Sequence, residues 1–108
     1  MDKISMLYAT FPSQQEAQET VRLLLDRKLI ACGNILPQMQ SFYWWKGKVE
    51  SSNEVAVLMK TRASCFFAIE SQLKKMHSYD VPVLIEIPII NALNEYQSWV
   101  LRETQATE

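Results

Sequence analysis

The chain has 108 residues, 48% of them apolar, with a formal charge of −1 and two cysteines. That bounds it to one domain, residues 1–108, around one hydrophobic core. Basic doublets occur only at Arg27-Lys28 and Lys74-Lys75 and no apolar run reaches the ~18–20 residues of a membrane span, so neither nucleic acid nor membrane is an expected partner.

Ile4 to Phe11 sets Ile4, Met6 and Tyr8 against Leu7, Ala9 and Phe11, which predicts a central strand covered on both faces. Pro12 ends it. Ser13, with Glu16 three residues on, forms a capping box in which the hydroxyl accepts an N–H and the carboxylate reaches back. Ala17, Val21, Leu24 and Leu25 then make one apolar stripe of a helix expected to end near Leu29. From Ile30 to Trp45 there is no helical period. Gly33 marks a bulge or a close backbone approach, and Pro37, lacking an N–H, implies a break in the strand.

Phe42-Tyr43-Trp44-Trp45 leads into Lys46-Gly47-Lys48, so aromatic residues stand before a glycine turn as at a hairpin tip. Trp44 and Trp45 should point to opposite faces. The returning arm is polar from Glu50 to Glu54 and apolar on both faces from Val55 to Met59. Phe66, Ile69, Leu73 and Met76 restore a helical stripe, and His77 to Pro82 connects it to a strand over Leu84 to Ile90. Asn91 or Asn94 is expected to cap a short last helix holding Tyr96, Trp99 and Val100, with fraying after Arg102.

This order predicts an α+β, ferredoxin-like split βαβ fold with an antiparallel sheet, a long extended β-hairpin and a short C-terminal helix. Right-handed crossovers place both main helices on one sheet face and leave the other needing a cover. At about 3.3 Å per residue a hairpin arm would reach about 45–50 Å. A compact chain of this size is only about 34 Å across. The aromatic tip should therefore overhang, and an exposed aromatic overhang marks an interface, here one between copies of the chain.

Several blocks in this order carry a family resemblance: Cys32, Asn34 and Ile35; Tyr43, Trp45, Gly47 and Lys48; Glu54, Lys60 and Thr61; His77, Tyr79 and Pro82. From about Leu7 to Trp99 the sequence resembles the CutA family of divalent-cation tolerance proteins. The resemblance implies a homotrimer similar to the PII signalling proteins, with hairpins embracing neighbours through Tyr43, Trp44 and Trp45. It implies a role in tolerance to divalent metals, notably copper, no established reaction and no required cofactor. Ser78 replaces the family's Pro, Asp80 its usual Glu, Val83 the Glu after the second Pro, and Ala92 a Gly.

Cys32 offers a soft sulfur ligand for copper or zinc, or simply a small thiol packed on a strand. His77, the only histidine, could ligate a metal through its imidazole or complement the C-terminal dipole of its helix. Cys65, early in the second helix, could have its thiol acidified by the dipole or be core. Lys60 could grip an anion or form an ion pair, and Glu86 should be paired or exposed at an edge. No phosphate loop, nucleophile elbow or Cys–His spacing suggests an enzyme. The resulting expectation is a cytoplasmic homotrimer in divalent-metal tolerance that binds copper or another divalent cation weakly through Cys32 and His77, its partner protein unnamed. The alternative is a PII-like sensor whose inter-subunit cleft, with Lys60, Tyr79 and Asp80, takes a small anionic metabolite.

Overall fold

The computed structural model describes residues 2–105. Strand β1 (Ile4–Phe11) is followed by helix α1 (Gln14–Asp26), strands β2 (Cys32–Trp45) and β3 (Lys48–Arg62), a 3-10 turn at Ala63–Cys65, helix α2 (Phe66–Met76), strand β4 (Leu84–Pro88) and helix α3 (Asn94–Glu103). The strands form one sheet in the order β2-β3-β1-β4 with every neighbour antiparallel, which is the expected ferredoxin-like arrangement. β1 is central, as its two apolar faces require.

One face of the sheet carries Leu7, Ala9, Phe11, Val55, Val57 and Met59. Against it pack Ala17, Val21 and Leu24 of α1 and Ile69 and Leu73 of α2. The α1 stripe differs by one position from the expected one: Thr20 is buried and Leu25 is exposed. Gly33 is a close approach, not a bulge, because a Cβ there would stand 3.0 Å from Val21 Cγ1. Helix α1 stops three residues before Leu29. Leu29 N–H bonds the Leu24 carbonyl and Lys28 N–H bonds that of Leu25, with Lys28 at φ 60, which is a Schellman ending without its usual glycine.

The opposite face is covered at one end only. There Val100 of α3 packs on Ile4 and Ala31, with Tyr96, Trp99 and Ile89 around them. Neither Asn91 nor Asn94 caps α3: the N-cap position is Leu93, with no side-chain hydrogen bond. From Arg102 to Gln105 the C-terminal end does not fray; the expected fraying at 106–108 lies outside the described residues. Arg62 donates to the carbonyls of Leu101 and Thr104, buried Thr104 donates to the Val100 carbonyl, and Gln105 N–H bonds the Lys28 carbonyl. A guanidinium thus satisfies the last carbonyls of α3 and complements its dipole. Beyond α3 the second face leaves Leu36 (44%), Ile85 (51%) and Ile87 (39%) exposed.

The hairpin is continuous from the body to its tip. Lys46 (φ 52) and Gly47 (φ 80) form the two-residue turn closed by the Trp45–Lys48 pair; positive φ at both turn positions defines type I′. The break forced by Pro37 lies between the pairs Leu36–Ala56 and Met39–Glu54, where two residues of β2 oppose one of β3 and Gln38 sits at φ 52. The molecule measures 45 × 26 × 22 Å, the long axis matching the reach expected of the hairpin.

Candidate functional site

Helix α2 hands over to its loop at His77, where the backbone turns extended (ψ 139) ahead of Val81-Pro82. The His77 side chain is fully enclosed. Its ring stacks on Phe11 at 4.7 Å between centroids and touches the Tyr79 ring at 4.7 Å. Nε2 stands 2.7 Å from the Thr10 carbonyl oxygen, which can only accept, so Nε2 donates. Nδ1 then accepts the Tyr79 N–H at 3.1 Å. Both ring nitrogens are occupied, and His77 works as a peg that seats the loop on β1.

Glu16 fastens the same loop from α1. Ser13 Oγ accepts Glu16 N–H at 3.2 Å, as half of the expected capping box. The Glu16 carboxylate, however, turns to Ser78, accepting its N–H at 3.0 Å and its hydroxyl at 2.9 Å. A proline at position 78 could offer neither donor.

The loop, β1 and the hairpin line an open cleft of about 580 Å³. Tyr8, Thr10 and Glu54 lie at its base, Tyr79, Asp80, Val81 and Val83 on one side, and Ser41, Tyr43 and Trp45 on the other. Trp44 and Trp45 part as expected: Phe42, Tyr43 and Trp45 line the cleft, whereas Trp44 is not among its residues and is 75% exposed. Tyr79 donates its hydroxyl to Glu54 Oε2 at 2.8 Å. Burial, the Glu54 hydrogen bond and the Glu54 charge push the Tyr79 phenol far above its ordinary value.

Of Lys60, Tyr79 and Asp80, expected at an inter-subunit cleft, the last two line this cleft within one chain and Lys60 does not. Lys60 pairs with Cys32 near the other end of the sheet and donates to Asn34 Oδ1. Arg62, which lies two residues on, caps α3 instead of facing a ligand. The cleft lining holds two carboxyls and no Lys or Arg, so it does not offer an anionic metabolite a cation. Thr10 and Glu54 were not among the expected cleft residues; Glu54 showed in the sequence only within the family block it shares with Lys60 and Thr61.

Cys32 lies beside Lys60, which pairs with Met6, while His77 is pegged to Thr10. Met6 and Thr10 are four residues apart on one strand, about 13 Å. One chain therefore does not bring Cys32 and His77 together, and His77 has no free lone pair for a metal. Cys32 is half-buried, with Sγ 3.6 Å from the Tyr96 hydroxyl. Burial and Cys32 raise the Tyr96 phenol to about 12. No group of three or more His, Cys, Asp or Glu among the described residues is placed to hold a metal ion. As placed, these side chains do not make a copper centre. Cys65 is buried, and burial raises its thiol rather than the helix lowering it. Glu86 accepts the Ser5 hydroxyl at 2.7 Å, the edge pairing expected of it.

Fold and cleft together define a ferredoxin-like α+β protein whose hairpin outgrows its own body. The sequence profile described as CutA1 divalent ion tolerance protein matches residues 5–103. The divalent-cation tolerance protein CutA of Archaeoglobus fulgidus is 42% identical over 96 residues, covering 89% of this chain and 93% of that protein. The crystal structure of CutA1 from Oryza sativa superposes with a TM-score of 0.94 at 33% identity, over 97% of this chain and 96% of the other. A solved Archaeoglobus fulgidus structure, described as a periplasmic divalent cation tolerance protein CutA, gives a TM-score of 0.92 at 38% identity, over 94% and 99%. The chain belongs to the CutA1 divalent ion tolerance family.

Proposed function

We propose that this chain serves tolerance to divalent metal ions as a cytoplasmic homotrimer without catalytic turnover, and that copper or another divalent cation meets it weakly. The observation that carries the tolerance reading is the family match along residues 5–103, in a fold that superposes over nearly its whole length. Assembly is supported by the overhanging hairpin and by the uncovered Leu36, Ile85 and Ile87. Two unpaired thiols, Cys32 and Cys65, suit a reducing compartment. Weak binding follows from the donor set: Cys32 is a single soft ligand, and His77 is spent on Thr10 and Tyr79.

Cells lacking the chain should grow more poorly than wild type in elevated Cu²⁺, and recover when it is restored. Equal growth across Cu²⁺, Zn²⁺ and Co²⁺ would overturn the tolerance reading. Calorimetric titration with Cu²⁺ should weaken on Cys32→Ser. A folded His77→Ala variant should leave the isotherm unchanged, and a loss of binding there would show that the ring leaves its peg to ligate metal.

A further inference from the structure

His77 is the chain's only histidine, and its fully enclosed side chain commits both ring nitrogens to the backbone. The ring rests on Phe11, which belongs to the sheet face beneath α1 and α2. Nε2 donates its proton to the Thr10 carbonyl, so the ring's one lone pair is at Nδ1. The Tyr79 N–H occupies that lone pair at 3.1 Å. Seating the loop in this way requires a neutral imidazole. Every one of these contacts is made within one chain, and none needs a neighbouring copy.

A second acceptor stands beside the first. Glu16 Oε2 lies 3.5 Å from Nδ1, and at present it takes the Ser78 N–H at 3.0 Å and hydroxyl at 3.2 Å. The other carboxylate oxygen takes the same hydroxyl at 2.9 Å, so Ser78 keeps a partner when Oε2 turns away. The other groups around the ring are few. From β1 come the Phe11 ring and the Thr10 carbonyl, neither of which titrates. The loop brings Tyr79, followed by Asp80, and Glu54 of β3 lies behind the Tyr79 hydroxyl. Lys74 and Lys75 end α2, but the ion pairs among the described residues join neither of them to Glu16 or His77.

We propose that His77 is a proton-operated latch: a proton at Nδ1 displaces the Tyr79 N–H, the imidazolium pairs with Glu16, and Tyr79 comes away from Glu54. A proton and the Tyr79 N–H cannot share one lone pair, so the seated and protonated states exclude each other. Acid therefore shifts the loop toward release, through the difference in proton affinity between the two states. Glu16 supplies the counter-charge that an enclosed imidazolium needs. Imidazoles as a class change charge between about pH 5 and 8. Because Tyr79 also lines the cleft beside the hairpin, release carries a pH change to the face where copies are proposed to meet. The latch concerns control of the loop and does not rest on the metal-tolerance reading.

The test is a two-dimensional NMR titration of the full chain from about pH 8 to about pH 5. With one histidine in the chain, the imidazole Hε1 signal reports His77 alone. The Tyr79 amide signal should move with the same midpoint. Its hydrogen exchange, corrected for the intrinsic pH dependence, should speed up about tenfold across the transition. Glu16→Gln keeps an acceptor for Ser78 but offers the imidazolium no charge, and should lower the midpoint by about one pH unit. Folded His77→Gln should show no Tyr79 transition in this range. An imidazole signal that stays constant, or a Tyr79 amide that stays put while the imidazole titrates, would overturn the proposal. So would a Tyr79 transition that persists in His77→Gln, or an unmoved midpoint in Glu16→Gln. Should His77→Gln fail to fold, Glu16→Gln decides, because glutamine also serves at that position of a capping box.

Discussion

His77, Tyr79 and Glu54 form a chain of contacts in which each group fixes the next. The imidazole holds the Tyr79 backbone N–H, and the Tyr79 hydroxyl holds Glu54. The arrangement has a pH consequence. The Tyr79 phenol is pushed up by burial and by Glu54, and that of Tyr96 to about 12 by burial and Cys32. A raised phenol pKa means the native chain holds the proton more tightly than the unfolded chain. Stability is therefore complete below the ordinary value of 10.0 and is lost as pH rises through it. Denaturant unfolding across the alkaline range should show this decline. Tyr79→Phe should flatten it while lowering stability at neutral pH by about 1 kcal/mol, the net value of one hydrogen bond. An equally steep alkaline loss in that variant would place its origin elsewhere.

The hairpin lines the cleft, and the proposed assembly depends on it. Its type I′ turn and the Pro37 bulge set the tip so that Tyr43 and Trp45 line the cleft and Trp44 faces away. Trp44 is thus the more exposed of the pair and the one offered to the proposed contact between copies. Trp44→Ala should weaken association by about 2 kcal/mol, the scale of a buried aromatic anchor, measured as a shift in the dissociation midpoint on dilution. An unmoved midpoint would show that Trp44 stays solvated in the assembly. Much of this element was legible in sequence, because period-two alternation, a glycine turn and a proline break each have one local cause. Lys60 lies away from the cleft within one chain because strand order decides which end of the sheet faces the loop, and no local pattern carries that. The Glu16 carboxylate likewise left its capping box for Ser78, a partner 62 residues away. Glu54 stood out only through the family block, because its burial depends on the Tyr79 loop from another element.

At the scale of the molecule, two features remain unfinished in a single chain. The sheet face opposite α1 and α2 is covered by α3 at the Ile4 end only, and the chain extends 45 Å along its long axis with Phe42, Trp44 and Val49 of the hairpin exposed. Exposed Leu36, Ile85 and Ile87 form an apolar strip of the kind that copies of a chain cover for one another. If other copies complete the fold, its stability is inseparable from protomer concentration. Sedimentation equilibrium of the wild-type chain at micromolar concentration tests this most directly. The account predicts a mass near three times 12.5 kDa, and a monomer of 12.5 kDa would contradict it.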